Sequence, residues 1–133
     1  MFASGEISQN ISKLSDATIN QYLYGAKQSI GVYYSFINKK DIHYRSEFEL
    51  EYMKKLDSNQ NIKEWSFMSF WIEYEFKGNV KKYIPQFLVE FSDGNKKVID
   101  VNFTVLNSLM RAKVNGIKAY CAANNMIYEE VKL

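Results

Sequence analysis

At 133 residues, the chain suits one domain around one core and is too short for two ordinary domains. A hydrophobic content of 47%, an aromatic content of 16% and a single proline exclude a disordered chain. The net charge of +2 excludes a uniformly basic nucleic-acid binder, so any basic surface has to come from local clustering.

In chain order, Ser15-Asp16 offers a helix N-cap before Ala17 to Gln28, where Ile19, Tyr22, Leu23 and Ala26 recur at helical spacing. Gly31 breaks that helix. Val32 to Ile37 then reads as a strand that turns at Asn38-Lys39-Lys40-Asp41 toward a hairpin partner at Ile42 to Tyr44. A second helix is expected from Ser46, its N-cap, to about Asp57, with Glu47 and Glu49 near the first turn where acids suit the helix dipole. Its apolar positions are Tyr52, Met53 and Leu56. Helical spacing puts Glu49 on that same face and turns Glu47 and Glu51 away from it. A rim position for Glu49 is the plainer alternative, because a buried acid needs partners.

After the polar loop Ser58 to Asn61, Trp65 to Phe76 alternates as one strand. Met68, Phe70, Ile72, Tyr74 and Phe76 form its apolar face, with Glu73 and Glu75 opposite. That face needs a helix over it, and Trp65 and Trp71 on the other side are candidates for an interface. Lys77-Gly78-Asn79 turns the chain into Val80 to Phe91, where Pro85 implies an edge, a bulge or a strand start. Asp93-Gly94 turns it again into Lys97 to Phe103. A turn centred there sets Gln86 opposite Val101 and brings Gln86, Asp100 and Asn102 together. Leu106, Leu109, Met110, Val114, Ile117 and Cys121 mark an amphipathic helix despite Gly116, and Met126 to Val131 returns as a last strand. The expected fold class is therefore mixed α/β.

The single Cys121 excludes an intramolecular disulfide and is read as a core residue. One cysteine with one histidine cannot build a tetrahedral zinc site. No apolar run approaches the roughly 18 residues of a membrane span, and Met1 to Asn10 lacks a signal-peptide pattern. A soluble, unsecreted, intracellular protein with no membrane partner is expected.

Several short patterns carry a family resemblance. Tyr44-Arg45-Ser46-Glu47-Phe48-Glu49 leads into a helix closing on Leu56-Asp57. Ile72-Glu73-Tyr74, the proline strand at 83 to 91, the Asp93-Gly94 turn and a closing helix through Tyr120-Cys121 follow in order. Together these resemble the PD-(D/E)XK nuclease superfamily, in particular its small phage and mobile-element members of the transposon end-cleaving and phage head-completion types. The resemblance covers about residues 32 to 131. It implies a restriction-endonuclease-like core, a mixed central sheet flanked by helices, with residues 1–31 as a helical extension and 32–133 as the nuclease-like domain.

Carried over position by position, the resemblance makes Glu49 the helix acid and Asp100 the second acid. Gln86 stands where the first metal-binding aspartate belongs, and Asn102 replaces the lysine. The Val101 carbonyl would be a further ligand for Mg2+ or Mn2+. Clustered oxygens hold such an ion, which activates water, while the lysine stabilises charge in the transition state. An amide at position 86 removes one charge and much of the drive to dehydrate magnesium, and losing a preorganised charge typically costs about 10² to 10³ in rate.

The favoured expectation is a nuclease fold that has lost cleavage and acts in DNA binding or assembly. Arg45, Lys81, Lys82, Arg111 and Lys113 are candidate DNA contacts, beside Lys39, Lys40, Lys96 and Lys97. Lysine doublets at turns are also ordinary solvated surface. The alternatives are an active Mg-dependent endonuclease using Glu49 and Asp100, and a structural subunit of a phage particle without DNA affinity. A homodimer, or a larger phage or transposition assembly that completes the site, is a further expectation. His43, just ahead of the Glu49 helix, is a candidate substitute base whose plainer reading is a solvent-facing hairpin residue.

Overall fold

The computed structural model describes residues 12–13 and 29–133. The helix expected over residues 17–28 lies outside the described residues. Two strands open the order, β1 at Ser12–Lys13 and β2 at Gly31–Ser35, followed by β3 at Lys40–Tyr44 and helix α1 at Glu47–Ser58. Strands β4 (Ile62–Phe67), β5 (Phe70–Phe76), β6 (Asn79–Tyr83), β7 (Phe87–Phe91) and β8 (Lys96–Val101) then run without an intervening helix. Helix α2 (Ser108–Ala123) crosses from β8 to β9 (Ile127–Val131).

The strands form a hairpin β2-β3, a sheet β1-β5-β6 and a mixed sheet β4-β7-β8-β9 in which only the β8-β9 pair is parallel. The architecture is thus mixed α/β, with two helices and a multi-strand mixed sheet among the described residues. No helix among the described residues is long and apolar enough to cross a membrane.

Alternation along β7 and β8 divides the core. Phe87, Val89, Ile99 and Val101 turn to α1 and pack with Met53, Leu56, Trp65 and Phe67. Leu88 and Val98 turn the other way, toward Ile117 and Cys121 of α2 and Phe70, Ile72 and Tyr74 of β5. The apolar face of β5 is therefore covered by a helix, as its pattern requires. The approach is close: a Cβ on Gly116 would stand 2.6 Å from the Tyr74 Cβ, so only glycine admits this spacing.

The single strand expected over Trp65 to Phe76 is two strands. Met68 adopts a positive φ of 50°, and the chain leaves one sheet for the other at Met68-Ser69. The returning segment breaks at the matching height, where Ile84-Pro85-Gln86 separates β6 from β7, so Pro85 marks a strand start. The Met68 N–H donates to the Gln86 carbonyl at 2.7 Å across this corner. One long hairpin thus bends between two sheets, which a proline and a left-handed residue permit.

The bend also revises the tryptophans. Trp65 is only 3% exposed and lies in the core, so it is no interface residue, while Trp71 is half-buried. The β7-β8 register is one residue away from the expected one, with Phe87 opposite Ile99. The Phe91 N–H donates to the Asn95 carbonyl, leaving three residues in the loop, and Gly94 takes the positive φ of 94° that such loops require. Leu106 stays outside α2 and is 77% exposed, because Asn107 caps the helix by accepting from the Met110 N–H.

Candidate functional site

Helix α1 begins where Ser46 Oγ accepts the Glu49 N–H at 3.1 Å. In the usual capping box an acid at this position reaches back to the N-cap N–H. Here Glu49 Oε1 accepts instead from the Arg45 N–H at 2.7 Å, one residue earlier. That reach folds the side chain inward, and Glu49 is 2% exposed, on the apolar face as its spacing required. Glu49 Oε2 accepts from Arg45 Nη2 at 3.1 Å and from Gln86 Nε2 at 2.7 Å.

Asp100 is 1% exposed and lies on the α2 side of the sheet, alternating with Ile99 and Val101. Its Oδ1 accepts from the Gln86 N–H at 2.8 Å. Its Oδ2 accepts from the hydroxyls of Tyr83 and Tyr128. Burial pushes the Asp100 carboxyl above the ordinary range; the hydrogen bonds from Tyr83, Gln86 and Tyr128 oppose that rise without cancelling it. Burial, and then the Asp100 charge, raise the Tyr128 phenol and push the Cys121 thiol up to about 12. A thiol so placed is no nucleophile at neutral pH.

Gln86 joins the two acids. Its side-chain NH2 donates to Glu49, its side-chain oxygen accepts the Val101 N–H, and its backbone N–H donates to Asp100. Asn102 has no part in this bridge. It takes a positive φ of 54°, and its side-chain oxygen accepts the Leu133 N–H at 2.9 Å, closing the end of β9. Of the four expected catalytic positions, three come together and the fourth serves the C-terminal strand.

A divalent cation fits this arrangement poorly. Magnesium needs several oxygen ligands in near-octahedral order. All four carboxylate oxygens of Glu49 and Asp100 already accept hydrogen bonds, and the group between the acids is an amide NH2, a donor. No metal-holding group of three or more His, Cys, Asp or Glu occurs among the described residues.

The basic candidates separate. Arg45 is committed to Glu49, and Lys97 reaches Glu129 at 3.2 Å. Lys39 and Lys40 sit exposed at the β2-β3 turn, and Lys96 opens β8. Lys81 and Lys82 are exposed on β6, with the Lys82 ammonium 4.4 Å from the Trp71 ring centroid. Lys113 lies 5.6 Å over the Tyr83 ring, and Arg111 is exposed in the second turn of α2. His43 is half-buried on β3 opposite Val32.

Sequence reasoning missed Tyr83 and Tyr128, since one tyrosine among ten carries no mark of its partner. It also missed what Asp57 does. That carboxylate accepts from Tyr33 Oη at 2.6 Å, the Phe36 N–H at 2.7 Å, Trp65 Nε1 at 2.8 Å and Ser35 Oγ at 3.0 Å. Burial works against its charge, but the hydrogen bonds from Tyr33, Trp65, Phe36 and Ser35 prevail and hold its pKa below the ordinary value. Compared with known proteins, the chain matches no family model and no curated sequence.

Proposed function

We propose that this chain is a PD-(D/E)XK-type nuclease fold of the phage or mobile-element kind, with a restriction-endonuclease-like core, that has given up metal-dependent cleavage and serves DNA binding or assembly. The Gln86 bridge carries this reading. Where the nuclease pattern needs a third anionic ligand, the chain places an amide that donates to one acid and, through its backbone, to the other. The same contacts that would be lost to a metal now tie α1 to β7 and β8, so the former site is read as a structural joint.

The test is cleavage of supercoiled and branched DNA in magnesium and in manganese, beside the double substitution Gln86→Asp, Asn102→Lys. No cutting by the unmodified chain is expected, nor any rise in its melting temperature on adding magnesium. The substituted chain places a third carboxylate against Glu49, so it should melt lower and recover with magnesium, because an ion bound only to the folded state stabilises it. Metal-dependent cutting by the unmodified chain, abolished by Asp100→Ala, overturns the reading and makes the protein an endonuclease.

A further inference from the structure

Charge is segregated along this chain in a way its net value conceals. Residues 76–83 hold Lys77, Lys81 and Lys82 with no acid, and residues 101–128 hold Arg111, Lys113 and Lys118 with no acid. The other eleven cations share the rest of the chain with all fifteen acids. The ion pairs between described residues engage that remainder: Arg45 with Glu49, Lys63 with Glu90, Lys97 with Glu129.

The fold brings the two acid-free segments together. Helix α2 lies on β5 through Gly116 and Tyr74, and Lys81 is the cross-strand partner of Tyr74. Lys113 extends from α2 over the ring of Tyr83, and Lys77 lies 5.3 Å from the Phe76 ring centroid. Glu73 and Glu75 alternate to the opposite face of β5 and Lys82, the partner of Glu73, turns with them, so Lys81 is the β6 lysine on the α2 side. Strand β6 is the outer strand of its sheet among the described residues, and Lys81 is exposed on it. The surface also runs into the Gln86 bridge, since Tyr83 beneath Lys113 donates to Asp100.

We infer that the face formed by β6 and the outer side of α2 binds the sugar-phosphate backbone of a nucleic-acid duplex. This rests on the DNA-binding reading and assigns it to one surface. Five β-residues span about 16 Å, and duplex DNA presents a charge every ~1.7 Å of its axis, so several phosphates face the strip at once. Lysines held over aromatic rings have already lost some of the freedom that binding would otherwise restrict. Base-edge contacts play no part in the inference, which predicts affinity without sequence preference.

The experiment titrates a fluorescent 20-base-pair duplex with the full chain over a range of salt concentrations. Two pairs of exposed residues are reversed, Lys81→Glu with Lys118→Glu on the proposed face and Lys54→Glu with Lys55→Glu on α1. The first pair should weaken binding at least tenfold and the second less than threefold, at equal net charge. The neutral pair Lys81→Gln, Lys118→Gln repeats the test if the reversed pair folds poorly; it should lower the salt slope by about two. Equal losses from both reversed pairs, with salt-dependent binding by the unmodified chain, overturn the surface assignment alone. Absence of any duplex affinity in the unmodified chain overturns the DNA-binding reading with it.

Discussion

Helix α1 carries a hydrogen-bonded carboxylate at each end, and the two are held by opposite means. Glu49 lies in the first turn, where the helix dipole favours an anion, and its remaining partners are an arginine and an amide. Asp57 lies in the last turn, where the dipole opposes it, and four donors from the β2-β3 hairpin and β4 surround it. An acid in the wrong place for its helix persists because four donors converge on it, the buried Ser35 hydroxyl and Trp65 indole among them. Asp57 is therefore the stronger fastening of the pair: it pins the hairpin to the helix, while the Glu49 bridge pins the helix to the sheet.

That comparison can be broken from either side. Asp57→Ala removes the acceptor of the buried Trp65 indole N–H and Ser35 hydroxyl and of the half-buried Tyr33 hydroxyl, and should cost about 3 kcal/mol in urea unfolding. Gln86→Ala removes the donor to Glu49 and the acceptor for Val101 but leaves the backbone bond to Asp100, so a loss of about 2 kcal/mol is expected. If Gln86→Ala costs more than Asp57→Ala, the ranking of the two fastenings is wrong.

A smaller and more diagnostic effect is in pH. The folded pKa of Asp57 is depressed, so its contribution is complete above the unfolded value near 3.9 and is lost as pH falls through the folded one. Asp100 has a raised folded pKa, so its charged form costs stability at neutral pH and protonation on acidification relieves that cost. Unfolding measured from pH 7 to about 3 should thus show a shallower acid loss in Asp57→Asn and a steeper one in Asp100→Asn. Parallel curves for the two variants would refute the opposite signs.

Some of this was legible from residues alone. The β2-β3 hairpin, the Ser46 cap and the place of Glu49 on the apolar helix face follow from local patterns that the structure keeps, as do the Asp93-Gly94 turn, α2 and β9. The corner at Met68-Ser69 was half-visible. Trp65 and Phe67 are buried at odd positions and Met68, Phe70 and Ile72 at even ones, and that phase slip at Phe67-Met68 is where the chain changes sheets. The alternation on either side was strong enough to hide it. Leu56-Asp57 stood out as a helix end, but its partners did not, because three of the four donors to Asp57 come from residues more than twenty positions away.

By itself, then, the sequence determined the periodicities: the two helices among the described residues, the alternation of the strands, and the helix face that carries Glu49. Those depend on backbone geometry and on caps a few residues away, which a linear pattern contains. Only the tertiary structure decided that Gln86 joins Glu49 to Asp100, that Asn102 serves the C-terminus instead, and that Lys81 of one acid-free segment comes to the side of β5 on which α2, in the other, is packed. These are properties of register and of sheet exchange at a corner, where a one-residue shift redirects every side chain that follows.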